Sequence, residues 1–253
     1  MHALIRLWDA GRMLKLEKEL FTQKTRVANA ERALAAKPTK KATDDVRIGT
    51  SKAEKARRDL EDLRRTEPLP RDSRIFPGVW APVLIVEDGV RKVVPMRYQC
   101  RPHGKPAFYD TKYPGTYNAR RDNLEGFWRE VFGSGHGICV FDAFYENVER
   151  QDETGATRNV VLEFRPDSAQ PMLVACLWSK WSDPTGKEPD LYSFAAITDE
   201  PPPEVRAAGH DRCVIPIREA NVDAWLDPRG NLAAAYAILD DRERPFYEHR
   251  LAA

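Results

Sequence analysis

Between Met13 and Leu34 the apolar side chains fall at Met13, Leu16, Leu20, Val27, Ala30 and Leu34, with Gln23 filling the one polar place in the series. Steps of three and four put them along one stripe of a helix. Lys37-Pro38-Thr39 breaks the pattern. A second helix is predicted from near Thr43, with Val46, Ala53, Ala56, Leu60 and Leu63 in the same spacing and Pro68 and Pro70 as its stop. Two such helices joined by a short turn make an antiparallel hairpin, assigned to residues 13–67, which either projects from the body or lies flat on it. Residues 1–12 stand apart as an atypical N-terminal segment. Leu4, Ile5, Leu7 and Trp8 are too apolar for a free tail, yet Met1-His2 offers no recognisable start to an element.

After Pro77 the pattern shortens to extended runs. Val79 to Val86 and Lys92 to Tyr98 flank Asp88-Gly89 and predict a hairpin. Residues 99–117, rich in Pro, Gly and Tyr, read as an ordered loop, and Asn123 to Val131 as a short helix. Strands are predicted at Gly137 to Phe144, Arg158 to Phe164, Met172 to Trp178, Tyr192 to Ile197 and Cys213 to Ile217. A helical turn should follow Pro201-Pro202-Pro203 up to Ala208, and small helices are expected at Asn221 to Leu226 and Leu232 to Leu239. Many short strands without long helices between them predict an α+β chain whose core at 77–250 is a mainly antiparallel, barrel-like sheet with peripheral helices.

Composition narrows the class. The 253 residues are 42% hydrophobic and 31% charged, as in a soluble globular protein with one sizeable core and a smaller appendage. No window approaches eighteen apolar residues and no signal peptide is recognisable, so a cytoplasmic protein with no membrane partner is expected. The net charge of +1 hides an asymmetry: residues 1–74 hold 19 Lys/Arg against 12 Asp/Glu, leaving 21 against 27 beyond. Most of the positive excess sits on a helical segment, where a charged face is commonly just solvated, so any contact with DNA has to be local. Cys100, Cys139, Cys176 and Cys213 are far apart with no CxxC pair, which fits free core thiols better than disulfides or a thiolate metal site.

The candidate chemistry sits where strands end or loops turn: Asn118 with Arg120, Glu146 after the apolar run Ile138 to Phe144, and Gly209-His210-Asp211-Arg212. Each also has an ordinary reading. Asn118 and Arg120 would be a capped turn and a surface arginine, Glu146 a solvated strand end beside Asn147 and Glu149, and His210 a histidine satisfied by Asp211. Taken together, a histidine and a carboxylate at the mouth of one sheet make a usable acid/base pair, while Arg120, Arg121 and Arg212 suit phosphates. The chain has no glycine-rich phosphate loop, HExxH run or Cys/His cluster. His103, His136 and His210 are too scattered to be ligands, so neither a metal nor another cofactor is expected.

Tyr117-Asn118-Ala119-Arg120 with Asn123-Leu124, the run Cys139 to Glu146 ending in Phe-Tyr-Glu, Leu173 to Trp178, Ala195 to Thr198, and Gly209-His210-Asp211-Arg212 before an apolar strand share an order and character. Over roughly 77–240 this set resembles the SOS response-associated peptidase family, whose members process abasic sites. The charged helical segment is similar to an insertion found in one bacterial branch. The resemblance implies a compact, mostly β fold with a positively charged groove for single-stranded DNA containing abasic sites. It also implies self-removal of the initiator methionine. The cysteine so exposed closes a thiazolidine ring on the sugar aldehyde through its α-amine and thiol. On this resemblance Asn118 would position the N-terminal residue, Glu146 would act as acid/base, His210 would assist Schiff-base formation and reversal, and Arg120 would hold backbone phosphate.

Residue 2 here is His2, and none of the four cysteines becomes N-terminal by loss of Met1. A shortened N-terminus and a variant that binds DNA without crosslinking are the two readings of that departure, and neither lets His2 form a thiazolidine. Two rivals from other classes remain. One is a hairpin whose role is to bind a protein partner. The other is a hydrolase using Cys139 or Cys213, disfavoured because both lie within apolar runs.

Overall fold

The computed structural model describes residues 2–67, 69–151, 155–186 and 188–252, and the chain divides into two compact units, Met1–Arg74 and Ile75–Ala253. In the first, α1 (His2–Ala36) and α2 (Lys40–Arg64) run antiparallel, tied by Arg26–Asp45 at 2.5 Å near the turn and Arg64–Glu17 at 2.6 Å toward the other end. Thr39 caps α2, its hydroxyl accepting from the Ala42 amide at 3.2 Å. The stripes expected from the sequence face each other: Gln23 and Ala30 of α1 and Ala42, Gly49, Ala56 and Leu60 of α2 are buried. Gly49 marks the closest approach, for a Cβ there would lie 2.7 Å from the Val27 side chain. Residues 2–12 are helical as well. The helix already runs from His2, because no proline interrupts the first two turns and helix propagation is favourable once a packed stretch has nucleated it. The expected stop at Pro68 lies outside the described residues; α2 ends at Arg64, ahead of the 3-10 turn Pro70–Ser73.

In the second unit, β1 (Trp80–Glu87) and β2 (Val90–Tyr98) form the predicted hairpin around Asp88-Gly89. The loop that follows contains α3 (Tyr109–Lys112) and then β3 (Asn118–Arg120). Residues 123–131, expected as a helix, form overlapping turns instead. The Asn123 side chain takes the Phe127 amide at 3.1 Å, and the Asn123 carbonyl takes both Gly126 and Trp128, so no regular ladder is established. Next come β4 (His136–Phe141), β5 (Phe144–Gln151), β6 (Thr157–Pro166), β7 (Met172–Trp181) and β8 (Leu191–Asp199). The second unit ends with α4 (Pro203–Ala207), β9 (Cys213–Val214), α5 (Val222–Leu226), α6 (Leu232–Asp240) and the unexpected β10 (Tyr247–Leu251).

β1, β2, β4, β7 and β8 close on themselves. β1 lies between β2 and β4, β7 joins β4 to β8, and β8 returns to β2 in parallel at Arg97↔Ser193 and Tyr98↔Phe194. All five strands supply one apolar cluster, including Val83, Ile85, Met96, Cys139, Cys176 and Phe194, which fills the ring. Alternate residues such as Ile138, Leu177 and Ile197 face the other way, where Trp225, Leu226, Ile238 and Leu239 of α5 and α6 cover them. β5, β6 and β10 form a second, three-stranded sheet, and Phe144, Val148 and Phe164 from it pack with Val174, Ala196 and Val205. This is the α+β, barrel-cored architecture expected from the spacing of short strands.

His136 is a core histidine. Its Nε2 accepts from the Gly133 amide at 3.0 Å and its Nδ1 faces the Trp225 carbonyl at 3.0 Å, which sets the neutral ring with the proton on Nδ1. Burial pushes it down to about 4.

Candidate active site

The apolar run at 138–144 is not one strand. The chain leaves β4 at Phe141, passes Asp142-Ala143 and enters β5 in the other sheet, so Glu146 is the third residue of a new strand and not the frayed end of the old one. Side chains alternate along β5: Phe144 and Val148 are buried, and Glu146 between them shares their face with 22% of its side chain exposed. A carboxylate on an apolar face needs a partner, and it has one. His210 Nε2 lies 3.0 Å from Glu146 Oε2.

His210 is delivered by a helix end. The short α4 stops in Ala208, and Gly209 adopts φ +99°, a left-handed conformation that glycine enters at little cost. The His210 amide turns back to the Val205 carbonyl at 3.3 Å, and Gly209 sits over Val148, where an added Cβ would be 3.7 Å from the valine Cβ. Seating the turn on Val148 aims the imidazole at the residue two places earlier on the same face. The other ring nitrogen, Nδ1, is 3.0 Å from the Arg212 carbonyl and 3.3 Å from the Arg212 amide. It can therefore donate to the carbonyl as imidazolium or accept the amide when neutral, with Nε2–H held on Glu146 in both states. The hydrogen bond to Glu146 raises the His210 pKa above its ordinary value, against the opposing effect of burial.

Asn118 approaches from the barrel. β3 pairs in parallel with β8 at Asn118↔Ala196 and Arg120↔Thr198, on the edge that β2 occupies up to Phe194. Tyr98 and Asn118 consequently lie on neighbouring steps of one edge, and the Tyr98 hydroxyl donates to Asn118 Oδ1 at 3.3 Å. That assignment directs the amide Nδ2 away from Tyr98. Burial, and after it the charge of Glu146, raises the Tyr98 phenol far above its usual range, which keeps it a donor. Thr198 of β8, in register with Arg120 of β3, is 2% exposed, and its Oγ1 has no hydrogen-bond partner among the described residues. Neither Tyr98 nor Thr198 was marked by the sequence. Their one signal, a polar side chain inside a strand, becomes informative only when the strand's neighbours are known.

The arginines separate into different roles. Arg120 is 45% exposed and, among the described residues, bound only to Asp122, at 3.1 and 3.2 Å, within its own loop. Exposed pairs of this kind contribute about 0–1 kcal/mol, so a phosphate can displace the carboxylate. Arg121, grouped with it from sequence, is otherwise committed: it binds Asp199 at 3.4 Å and Asp240 at 2.5 Å and stacks on Tyr236. It is a strut between β8 and α6, because the 3-10 turn Arg121–Asn123 points it back across the sheet. Arg212 pairs with Asp211 at 3.3 Å and acts on His210 through its backbone.

An open cleft of about 410 Å³ carries His210, lined by Arg120 and Arg206 together with Glu200 and Asp211. Its lining is thus mixed in charge rather than uniformly positive. A larger neighbouring cleft, about 510 Å³, shares Glu200 and Pro201 and runs toward Cys213 and Tyr247, away from the acid/base pair. The four cysteines are free and buried. Burial pushes Cys100, Cys139 and Cys213 up to about 12, and Cys176 well above its ordinary value. Such thiols are poor nucleophiles. Among the described residues no three His, Cys, Asp or Glu side chains converge on a metal-sized site, and no helix is long and apolar enough to cross a membrane.

Three solved structures share the fold. A Bordetella bronchiseptica protein matches with a TM-score of 0.55 at 18% identity, over 70% of this chain and 86% of its own. A Bacteroides thetaiotaomicron protein matches with a TM-score of 0.57 at 16% identity, over 70% and 75%. A phage-related protein from Bordetella bronchiseptica matches with a TM-score of 0.51 at 21% identity, over 70% and 79%. No curated protein matches the chain. The family model for SOS response associated peptidase (SRAP) matches residues 40–250, from the first residue of α2 to the last strand. With most of its length matched in this way, the chain belongs to the SOS response associated peptidase (SRAP) family.

Proposed function

We propose that this protein binds single-stranded DNA at an abasic site and activates the sugar aldehyde there with Glu146 and His210. The observation that carries the reading is the 3.0 Å contact between His210 and a carboxylate placed on the apolar face of β5. An amine adding to an aldehyde first gives a carbinolamine, which must then lose water. The proton shared between His210 Nε2 and Glu146 is delivered to the departing hydroxyl by the Glu146 carboxyl group, His210 becomes neutral with Nδ1–H kept on the Arg212 carbonyl, and the pair takes the proton back in the reverse direction. Asn118, with its amide oriented by Tyr98, holds the reacting groups in place. Arg120 exchanges Asp122 for a backbone phosphate of the strand.

A thiazolidine needs an amine and a thiol on one residue. Residue 2 of this chain is His2, and the four thiols are buried. The 253-residue chain is therefore expected to bind abasic single strands without forming a heat-stable adduct. Incubation with an oligonucleotide carrying one abasic site, followed by a denaturing gel, tests this, and a shifted band that survives heating would overturn it. Binding itself is tested through Arg120→Ala. The expected result is a loss of about three- to tenfold in affinity at low salt, with the salt slope reduced by about 0.7, the share of one single-strand phosphate contact. An isotherm that does not change would exclude Arg120 from the interface.

A further inference from the structure

We propose that Phe108, Tyr109, Tyr113 and Phe127 form a stacking platform for the bases of the single strand next to the abasic site, an inference that rests on the function just proposed. The rings follow one another across the surface: Phe108 to Tyr109 at 5.4 Å, Tyr109 to Tyr113 at 4.8 Å, Tyr113 to Phe127 at 6.0 Å and Phe127 to Trp128 at 5.0 Å. Tyr109 and Phe127 are half-buried. Phe108 is 57% exposed and Tyr113 37%, whereas Trp128 at the inner end is 3% exposed and belongs to the core.

This row is not a piece of core that failed to close. Phe108 is held out by the turn that starts α3, where its carbonyl takes the amides of Thr111 and Lys112 at 3.1 and 2.9 Å, and among the described residues its one aromatic neighbour is Tyr109. A large ring fixed in water on an ordered backbone loses little entropy when a flat partner lands on it, and every base offers a flat π face.

The charges around the row select the partner. The one acid between residues 103 and 117 is Asp110, and its carboxylate is turned inward to Arg97 at 2.7 Å and Arg101 at 2.5 Å. The outward charges of the segment are Lys105, in loose contact with Glu130 at 3.9 Å, and Lys112, whose ammonium lies 5.2 Å from the Tyr113 ring. Aromatic rings interleaved with lysines match a strand that carries phosphates between its bases. The row also adjoins the site through the chain: Tyr113 lies five residues before Asn118, and Phe127 is tied to Asn123, just past Arg120.

The test uses the full chain with fluorescein-labelled single-stranded oligothymidylate, intact or with one abasic site, and a parallel series carrying 2-aminopurine at successive positions beside the lesion. The Phe108→Ala/Tyr113→Ala double variant is expected to bind both strands at least tenfold more weakly and to lose the 2-aminopurine quenching, with the ratio of abasic to intact affinity unchanged. Phe108→Trp should keep both affinity and quenching, which separates stacking from a folding defect. Unchanged affinity and quenching in the double variant would overturn the platform, and would be the outcome if these rings serve a protein partner. Failure of the abasic reading has a different signature: equal affinity of the wild type for the two strands, with the dependence on Phe108 and Tyr113 intact.

Discussion

Glu146→Gln is expected to slow aldehyde chemistry at a bound abasic site by about a hundredfold, the lower end of what positioned acid–base catalysis contributes. The measurement supplies the aminothiol from solution. Free cysteine is added to abasic single-stranded DNA, and thiazolidine formation is followed by mass spectrometry with and without protein. Glutamine keeps the size of the side chain and a carbonyl to accept from His210 Nε2, now 3.0 Å from the carboxylate, but it removes the charge that favours the imidazolium. His210→Gln should cost about as much, and the double variant little more, because the two groups act as a unit. Equal rates for wild type and Glu146→Gln would remove the pair from the mechanism. The same substitution has a stability signature. The His210 pKa is raised in the folded protein, so the pair stabilises the fold fully below the ordinary imidazole pKa of about 6.5 and loses that effect as pH rises through the raised value. Denaturation curves of wild type and variant should consequently differ more at pH 6 than at pH 9.

Trp225→Ala is expected to cost about 3–5 kcal/mol, a large part of the 5–15 kcal/mol typical of a folded domain. The indole is fully buried, donates from Nε1 to the Gly137 carbonyl at 2.9 Å, and stacks on His136 with ring centroids 4.0 Å apart. Its loss opens a cavity and strips the cover from the histidine. In the wild type His136 stays neutral down to about 4, whereas in the unfolded chain it takes a proton near 6.5. Stability therefore falls as pH drops through that interval, by about 3 kcal/mol at roughly 1.4 kcal/mol per pH unit. Urea denaturation between pH 7 and pH 4 reads both effects: a lower midpoint at pH 7 in Trp225→Ala, and a shallower acid limb once water reaches the ring. An acid limb as steep in the variant as in the wild type would show that other groups cause it.

Much of the fold was visible in the one-dimensional pattern. The three-four stripe of α1 and α2, the β1–β2 hairpin and the alternating strands of the barrel are local consequences of which side chains avoid water. The misplaced strand and helix share a cause. Ile138 to Phe144 looked like one strand because buried strands of different sheets have the same composition, and nothing local marks Asp142-Ala143 as the crossing point. Asn123 to Val131 had helical spacing, but the Asn123 side chain competes for the amides that a helix would use. Arg120 and Arg121 are neighbours of one type, and their difference rests on Asp199 and Asp240, which are distant in sequence.

The sequence by itself determined the helical hairpin, the barrel-type class, the buried thiols and the identity of the polar residues available for chemistry, since periodicity and composition depend on each residue's own affinity for water. Only the tertiary structure decided that Glu146 lies on an apolar face between Phe144 and Val148, that His210 reaches it over Gly209, that Tyr98 orients Asn118, and that Arg121 is a strut. Those facts depend on pairs of residues brought together by strand order and by one left-handed turn. Hydrogen bonds and ion pairs act over a few ångströms, and no local pattern records which partners the fold will place within that reach.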